Sequence, residues 1–135
     1  MPRVKEFTVT IADKPGALAR LFTALAQRGV NILAFQSYVE GGESLARFVS
    51  DRPAEALAAL RELRIIFEDG EAALVSLPHN PGELGRAAAK LGENGINIDY
   101  SYSGMEPGSA LAVIVFGVDN LTKASAALDE LAKAG

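Results

Sequence analysis

The chain has 135 residues, 49 % of them hydrophobic and 22 % charged, with a formal net charge of −4. That balance fits a folded globular protein, and the acidic excess argues against a phosphate-backbone binder, which needs clustered lysine and arginine. Cysteine is absent, so disulfides, thiolate metal sites and cysteine nucleophiles are excluded.

The elements follow in chain order. Phe7, Val9 and Ile11 alternate with Glu6, Thr8 and Thr10, the period-2 pattern of a half-buried strand. Asp13-Lys14-Pro15-Gly16 breaks it. Leu18, Leu21, Phe22 and Leu25 then form one apolar stripe at helical spacing. Gly29 stands where a left-handed helix cap is wanted. Residues 31–39 read as a strand, Glu40-Gly41-Gly42-Glu43 as a hairpin loop, and residues 45–50 as a third strand. Asp51 and Pro53 open a second helix as N-cap and first-turn residues, with Leu57 and Leu60 inside. Ile65-Ile66-Phe67 is a short strand ending in a solvated turn of Glu68, Asp69, Gly70 and Glu71. Residues 73–77 are a strand and 81–94 a helix. Residues 97–103 are a strand with Ile98, Tyr100 and Tyr102 on one face. Residues 104–109 form a loop, and 110–118 a strand apolar enough to be buried on both faces. Asp119 caps a last helix carrying Leu121, Ala124, Leu128 and Leu131. No apolar run reaches the length of a membrane span, and no signal-peptide-like segment precedes the first strand. A cytoplasmic location is the expectation.

Half of this sequence repeats the other half. Residues 15–32, PGALARLFTALAQRGVNI, align with residues 81–98, PGELGRAAAKLGENGINI, at a constant offset of 66. The offset becomes 68 at Asp51 and Asp119. The reading is two copies of one unit, residues 1–69 and 70–135, each near the lower size limit for a core of its own and therefore paired. The order is β-α-β-β-α-β, a ferredoxin-like split βαβ of class α+β, with helices on one face of an antiparallel sheet. The second copy lacks a counterpart of residues 65–67.

Two repeated steps carry chemistry. Asn80-Pro81-Gly82-Glu83 reads as a capping box, with Asn80 at the cap and Glu83 reaching back. Lys14 is a poor cap in the first copy, which leaves Asp13. These residues either only start helices or let a small anion approach free N–H groups past the glycine. Gly29-Val30-Asn31-Ile32 and Gly95-Ile96-Asn97-Ile98 end the helices. The glycines are explained by left-handed caps, while Asn31 and Asn97 serve either turn chemistry or an amino acid's ammonium and carboxylate.

The pattern Asp-x-Pro-Gly-x-Leu, a helix, then Gly-(Val/Ile)-Asn-Ile, in a βαββαβ frame, resembles the ACT domain. Both copies carry it, so the resemblance covers almost the whole chain, as in stand-alone tandem ACT proteins. It implies a regulatory module that binds an amino acid, with paired units forming one continuous sheet and effectors at their seam. Transferred residue by residue, one site would use Asp13, Gly16 and Ala17 with Asn97. The other would use His79, Asn80, Gly82 and Glu83 with Asn31. His79 stands where the first copy has Asp13, so the two sites are expected to differ.

An enzyme is not expected: the chain has one histidine, no cysteine and no phosphate-cradling glycine run. No matching arginine loop supports an acylphosphatase, and the acidic balance speaks against an RNA-binding module of this topology. Neither a cofactor nor a metal is expected. Partners are an amino-acid effector and, through exposed sheet edges, a second copy as in a homodimer. The rival reading is an interaction module, or a separate regulatory subunit of an amino-acid biosynthetic enzyme without its own ligand.

Overall fold

Alternation at the chain's start and helical spacing after it build a computed structural model that describes residues 3–134. Its elements are β1 (Arg3–Ile11), α1 (Ala17–Gln27), β2 (Ile32–Glu40), β3 (Glu43–Ser50), α2 (Pro53–Glu62), β4 (Ile66–Pro78), α3 (Glu83–Glu93), β5 (Ile98–Met105), β6 (Leu111–Val118) and α4 (Leu121–Ala134). The fold is α+β with antiparallel strand pairs and four helices. It divides into an N-terminal unit, residues 5–70, and a C-terminal unit, residues 71–134 with Arg3 and Val4.

In the N-terminal unit β3 lies between β1 and β2, with Phe7 opposite Phe48 and Val9 opposite Ala46. Gly41 and Gly42 both take positive φ, 58° and 80°, which gives the β2–β3 hairpin the two-residue turn that matches strand twist. The apolar stripe of α1 puts Leu21 and Leu25 fully inside, against Phe7, Val9 and Phe48 from the sheet and Ala56, Ala59 and Leu60 from α2. Both helices therefore cover one sheet face. Phe48 anchors an aromatic group, with ring centroids 5.6 Å from Phe7 and 6.2 Å from Phe22.

The C-terminal unit repeats this frame with aliphatic filling. β6 lies between β4 and β5. Val75, Ala87, Leu91, Ile96, Phe116 and Leu128 occupy the places of Val9, Leu21, Leu25, Val30, Phe48 and Leu60. The all-apolar run in β6 is buried from Val113 to Gly117, as expected for a strand covered on both faces.

Three local expectations are corrected. The expected turn after Phe67 does not form: β4 runs unbroken for 13 residues. Its acidic residues stay exposed and pair with basic partners on β1, Asp69 at 2.9 Å from Lys5 in the N-terminal unit and Glu71 at 3.9 Å from Arg3 in the C-terminal unit. The C-terminal unit thus takes extra strand residues from the start of the chain, where Arg3 also donates to Thr122 at 3.4 Å. Second, Ile98 does not share a face with Tyr100 and Tyr102. A register shift between Ile98 and Tyr100 sends Ile98 to the helix-side core, while the two tyrosine rings stack 6.3 Å apart on the other face; one inserted residue reverses every later side chain. β2 has the same shift between Ile32 and Ala34.

Third, neither Asp51 nor Asp119 caps a helix. Arg52 takes the cap position of α2, before Pro53 at its first position. Asn120 caps α4, its Oδ1 accepting from the Lys123 N–H at 3.0 Å. Instead, both aspartates reach back to the residue just before a strand, β2 for Asp51 and β5 for Asp119. Asp51 Oδ1 accepts from the Asn31 N–H at 2.8 Å, and Asp119 Oδ1 from the Asn97 N–H at 3.1 Å. Each aspartate N–H returns a bond to the same asparagine's carbonyl, at 3.0 and 3.3 Å. Among the described residues no helix is long and apolar enough to cross a membrane.

Candidate functional site

Proline and glycine fix the same turn twice. In the N-terminal unit the Ala17 N–H bonds to the Lys14 carbonyl at 3.3 Å and the Arg20 N–H to the Gly16 carbonyl at 3.0 Å. In the C-terminal unit the Glu83 N–H bonds to Asn80 at 3.2 Å and the Arg86 N–H to Gly82 at 2.9 Å. Gly16 and Gly82 are the helix caps, at φ 89° and 92°, a conformation that disfavours any side chain. A Cβ on either would meet nothing within 4 Å, so the main chain is open to approach.

The expected capping box is therefore absent. No side chain bonds to the cap positions of α1 or α3, because the glycine turn places the cap two residues beyond Asn80 and three beyond Asp13. Glu83, now the first residue of α3, binds forward to Arg86 at 2.8 Å. First-turn N–H groups without side-chain partners at the positive end of a helix are suited to a carboxylate.

Each unit has a cavity at this turn. In the N-terminal unit it holds about 320 Å³ and is lined by Lys14, Ala17, Arg20 and Arg64 over an apolar wall of Ile11 and Ile65. In the C-terminal unit it holds about 590 Å³, with His79, Asn80, Gly82 and Glu83 on one side and Met105 and Leu111 on the other. Both volumes fall within the range of small-ligand pockets. Among the described residues, no group of three or more His, Asp and Glu side chains is placed to hold a metal ion.

The structure brings four of the expected residues, His79, Asn80, Gly82 and Glu83, into one cavity, and Ala17 into the other. Asp13 and Gly16 flank the second cavity without lining it. Asn31 and Asn97 line neither cavity. Their main chains hold Asp51 and Asp119, and the exposed Asn97 carboxamide donates to Asp99 at 3.1 Å. Arg20, Arg64, Met105 and Leu111 were not foreseen as lining residues. Arg20 lies one helical turn after Ala17, so the spacing carried a signal for it. Arg64 and Met105 come from other elements, and only the fold joins them to the turn.

Residues 6–68 match the ACT domain family. The whole chain is similar in fold to a protein from Bacteroides thetaiotaomicron, with 23 % identity, a TM-score of 0.81, and coverage of 96 % of this chain and 88 % of that one. It is also similar to the regulatory subunit of aspartate kinase from Thermus thermophilus in its ligand-free form, with 25 % identity, a TM-score of 0.66, and coverage of 98 % and 92 %. The corresponding subunit from Thermus flavus gives 21 % identity and a TM-score of 0.57 over 96 % and 92 %. No curated protein matches the chain significantly.

Proposed function

We propose that this chain is an amino-acid-binding regulatory protein without catalytic activity of its own, built from two tandem ACT-type units, residues 1–69 and 70–135. A small amino acid binds at the glycine turn, and its carboxylate takes the free N–H groups at the helix start. One observation carries this reading: the turn, with a bare glycine, no side-chain cap and an adjoining cavity, occurs once in each unit. The ACT match and the likeness to a regulatory subunit of aspartate kinase support it. The proposal includes the pairing implied by the resemblance, Asp13, Gly16 and Ala17 with Asn97, and His79, Asn80, Gly82 and Glu83 with Asn31. It also includes a cytoplasmic homodimer whose association the ligand changes, which requires unequal ligand affinity in two states.

The test is a thermal-shift screen against the twenty amino acids at millimolar concentration. A ligand at about 100 times its Kd adds about 2.7 kcal/mol. A selective rise with one or two amino acids is expected, and a flat response to all twenty overturns the reading.

A second reading is favoured by Phe35 and Val39, which share a face of β2 and are 49 % and 61 % exposed. Large apolar side chains left in water on one strand face are available to a partner. On this reading the chain is a subunit that docks on a separate enzyme and binds no ligand. Phe35→Ser with Val39→Ser would then abolish docking while leaving every amino-acid titration flat.

A further inference from the structure

We propose that the cavity of the N-terminal unit is a site for a small dicarboxylate, held by Lys14, Arg20 and Arg64. This rests on the ligand-binding reading above and names the ligand class for one of its two cavities.

The charge is one-sided. Three cations line this cavity and no acidic residue does. Among the described residues none of the three forms an ion pair, whereas Lys5, Arg28 and Arg86 all do. The three cations stand around about 320 Å³ with no carboxylate among them.

The repeat shows how this arose. In the C-terminal unit Glu83 neutralises Arg86 across one helical turn at 2.8 Å. Alanine stands at the matching place in the N-terminal unit, so Arg20 has no such partner, and Lys14 stands where Asn80 does. One copy keeps the carboxylate beside its arginine. The other leaves that place for a carboxylate brought by a ligand.

Arg64 adds an independent sign. It occupies the left-handed position that ends α2, at φ 56°. Its N–H bonds to the Arg61 carbonyl at 3.1 Å, and the next N–H, from Ile65, to Leu60 at 3.2 Å. The same pair of bonds ends α1 at Gly29 and α3 at Gly95, both with positive φ. Glycine is the relaxed choice there, and an L-residue carries a steric penalty. The fold uses glycine twice and tolerates arginine once, where the residue lines a cationic cavity. Strain retained at such a place points to use of the side chain.

The wall selects the shape of the anion. Ile11, Leu21, Leu63, Ile65 and Ile66 line it, which suits a carbon chain between two carboxylates better than a bare inorganic anion. Guanidinium forks match carboxylates in pairs.

The experiment is calorimetric titration of the full chain with succinate, L-aspartate, inorganic phosphate, L-alanine and L-leucine, on wild type, Ala17→Glu and Arg64→Gly. Succinate is expected to bind wild type once per chain. Ala17→Glu supplies Arg20 with an internal partner and Arg64→Gly removes a guanidinium, so each weakens succinate about tenfold or more. Arg64→Gly should meanwhile raise Tm by about 2–4 °C, since it relaxes the backbone. Succinate affinity unchanged by both Ala17→Glu and Arg64→Gly overturns the proposal, as does phosphate binding as tightly as succinate. Binding of alanine or leucine without succinate overturns it and leaves the amino-acid reading standing. Variant-sensitive succinate binding with no amino acid bound upholds it and overturns that reading. No binding by any probe overturns both.

Discussion

The two glycine turns share a main-chain frame and differ in what stands on it. Pro15-Gly16 and Pro81-Gly82 hold the same hydrogen bonds to within 0.1 Å, yet Lys14 and Ala17 at one turn face Asn80 and Glu83 at the other. One cavity is ringed by unpaired cations. The other is larger, no lysine or arginine lines it, and its glutamate is already bound to Arg86. Residues that set dihedral angles are repeated because the turn is strained without them. Residues that do not set the main chain are free to differ, and the two turns differ there in charge.

The cores offer the strongest test of the shared frame. Leu25 and Leu91 occupy matching places and both are fully buried. Leu25→Ala and Leu91→Ala are each expected to cost about 2–5 kcal/mol in urea unfolding, from lost transfer energy plus the cavity left behind. A loss below about 1 kcal/mol at either would break the equivalence of the two cores.

A smaller effect separates the copies. In the N-terminal unit Ala34 lies opposite Val49; in the C-terminal unit the same cross-strand pair is Tyr100 and Gly117. Size has moved from one strand to the other. A Cβ on Gly117 would fall 2.0 Å from the Tyr100 ring, so Gly117→Val is expected to cost about 2 kcal/mol by overpacking. Adding Tyr100→Ala recreates the pair of the first copy and should recover at least half of the loss. A double variant no more stable than Gly117→Val alone would show that the two pairs are not interchangeable.

Element identity was legible because burial enforces periodicity. Leu18, Leu21, Phe22 and Leu25 could form only one helix face, and the run in β6 only a buried strand. The turns were less legible. Asn80 and Glu83 have capping-box spacing, but glycine at φ 92° starts the helix later, and no local pattern distinguishes a glycine in a turn from a glycine at a cap. The acidic run at residues 68–71 resembled a solvated turn because its partners, Arg3 and Lys5, lie more than 60 residues away in sequence. Arg64 was invisible as a cavity residue for the same reason: only the folded chain carries the end of α2 to the start of α1.

Asp51 and Asp119 test whether the repeated asparagine step serves the fold. Each carboxylate holds the N–H of the matching asparagine at an exposed position. Asp51→Ala and Asp119→Ala are each expected to cost about 1 kcal/mol, the net worth of an accessible hydrogen bond to a charged group. Asn31→Ala and Asn97→Ala keep those main-chain bonds and should cost less than about 0.5 kcal/mol. On the proposed pairing, each asparagine variant also weakens one ligand site. Amino-acid affinities unchanged in both would sink the pairing and leave the asparagines only as anchors for the two aspartates.

The smallest effect bears most directly on the difference between the turns. Glu83 and Arg86 pair one helical turn apart with side chains 25 % and 38 % exposed, a setting worth about 0.3–0.5 kcal/mol. Glu83→Gln should lose about that much, and the loss should vanish in high salt. Such a pair adds little to folding, and the N-terminal unit forms its helix with alanine in the same place. If Glu83→Gln cost about 2 kcal/mol or more, the pair would be a structural requirement of the C-terminal unit, and its absence from the other copy would say nothing about ligands. A loss of a few tenths leaves charge at the cavity rim as the property that the two copies have altered.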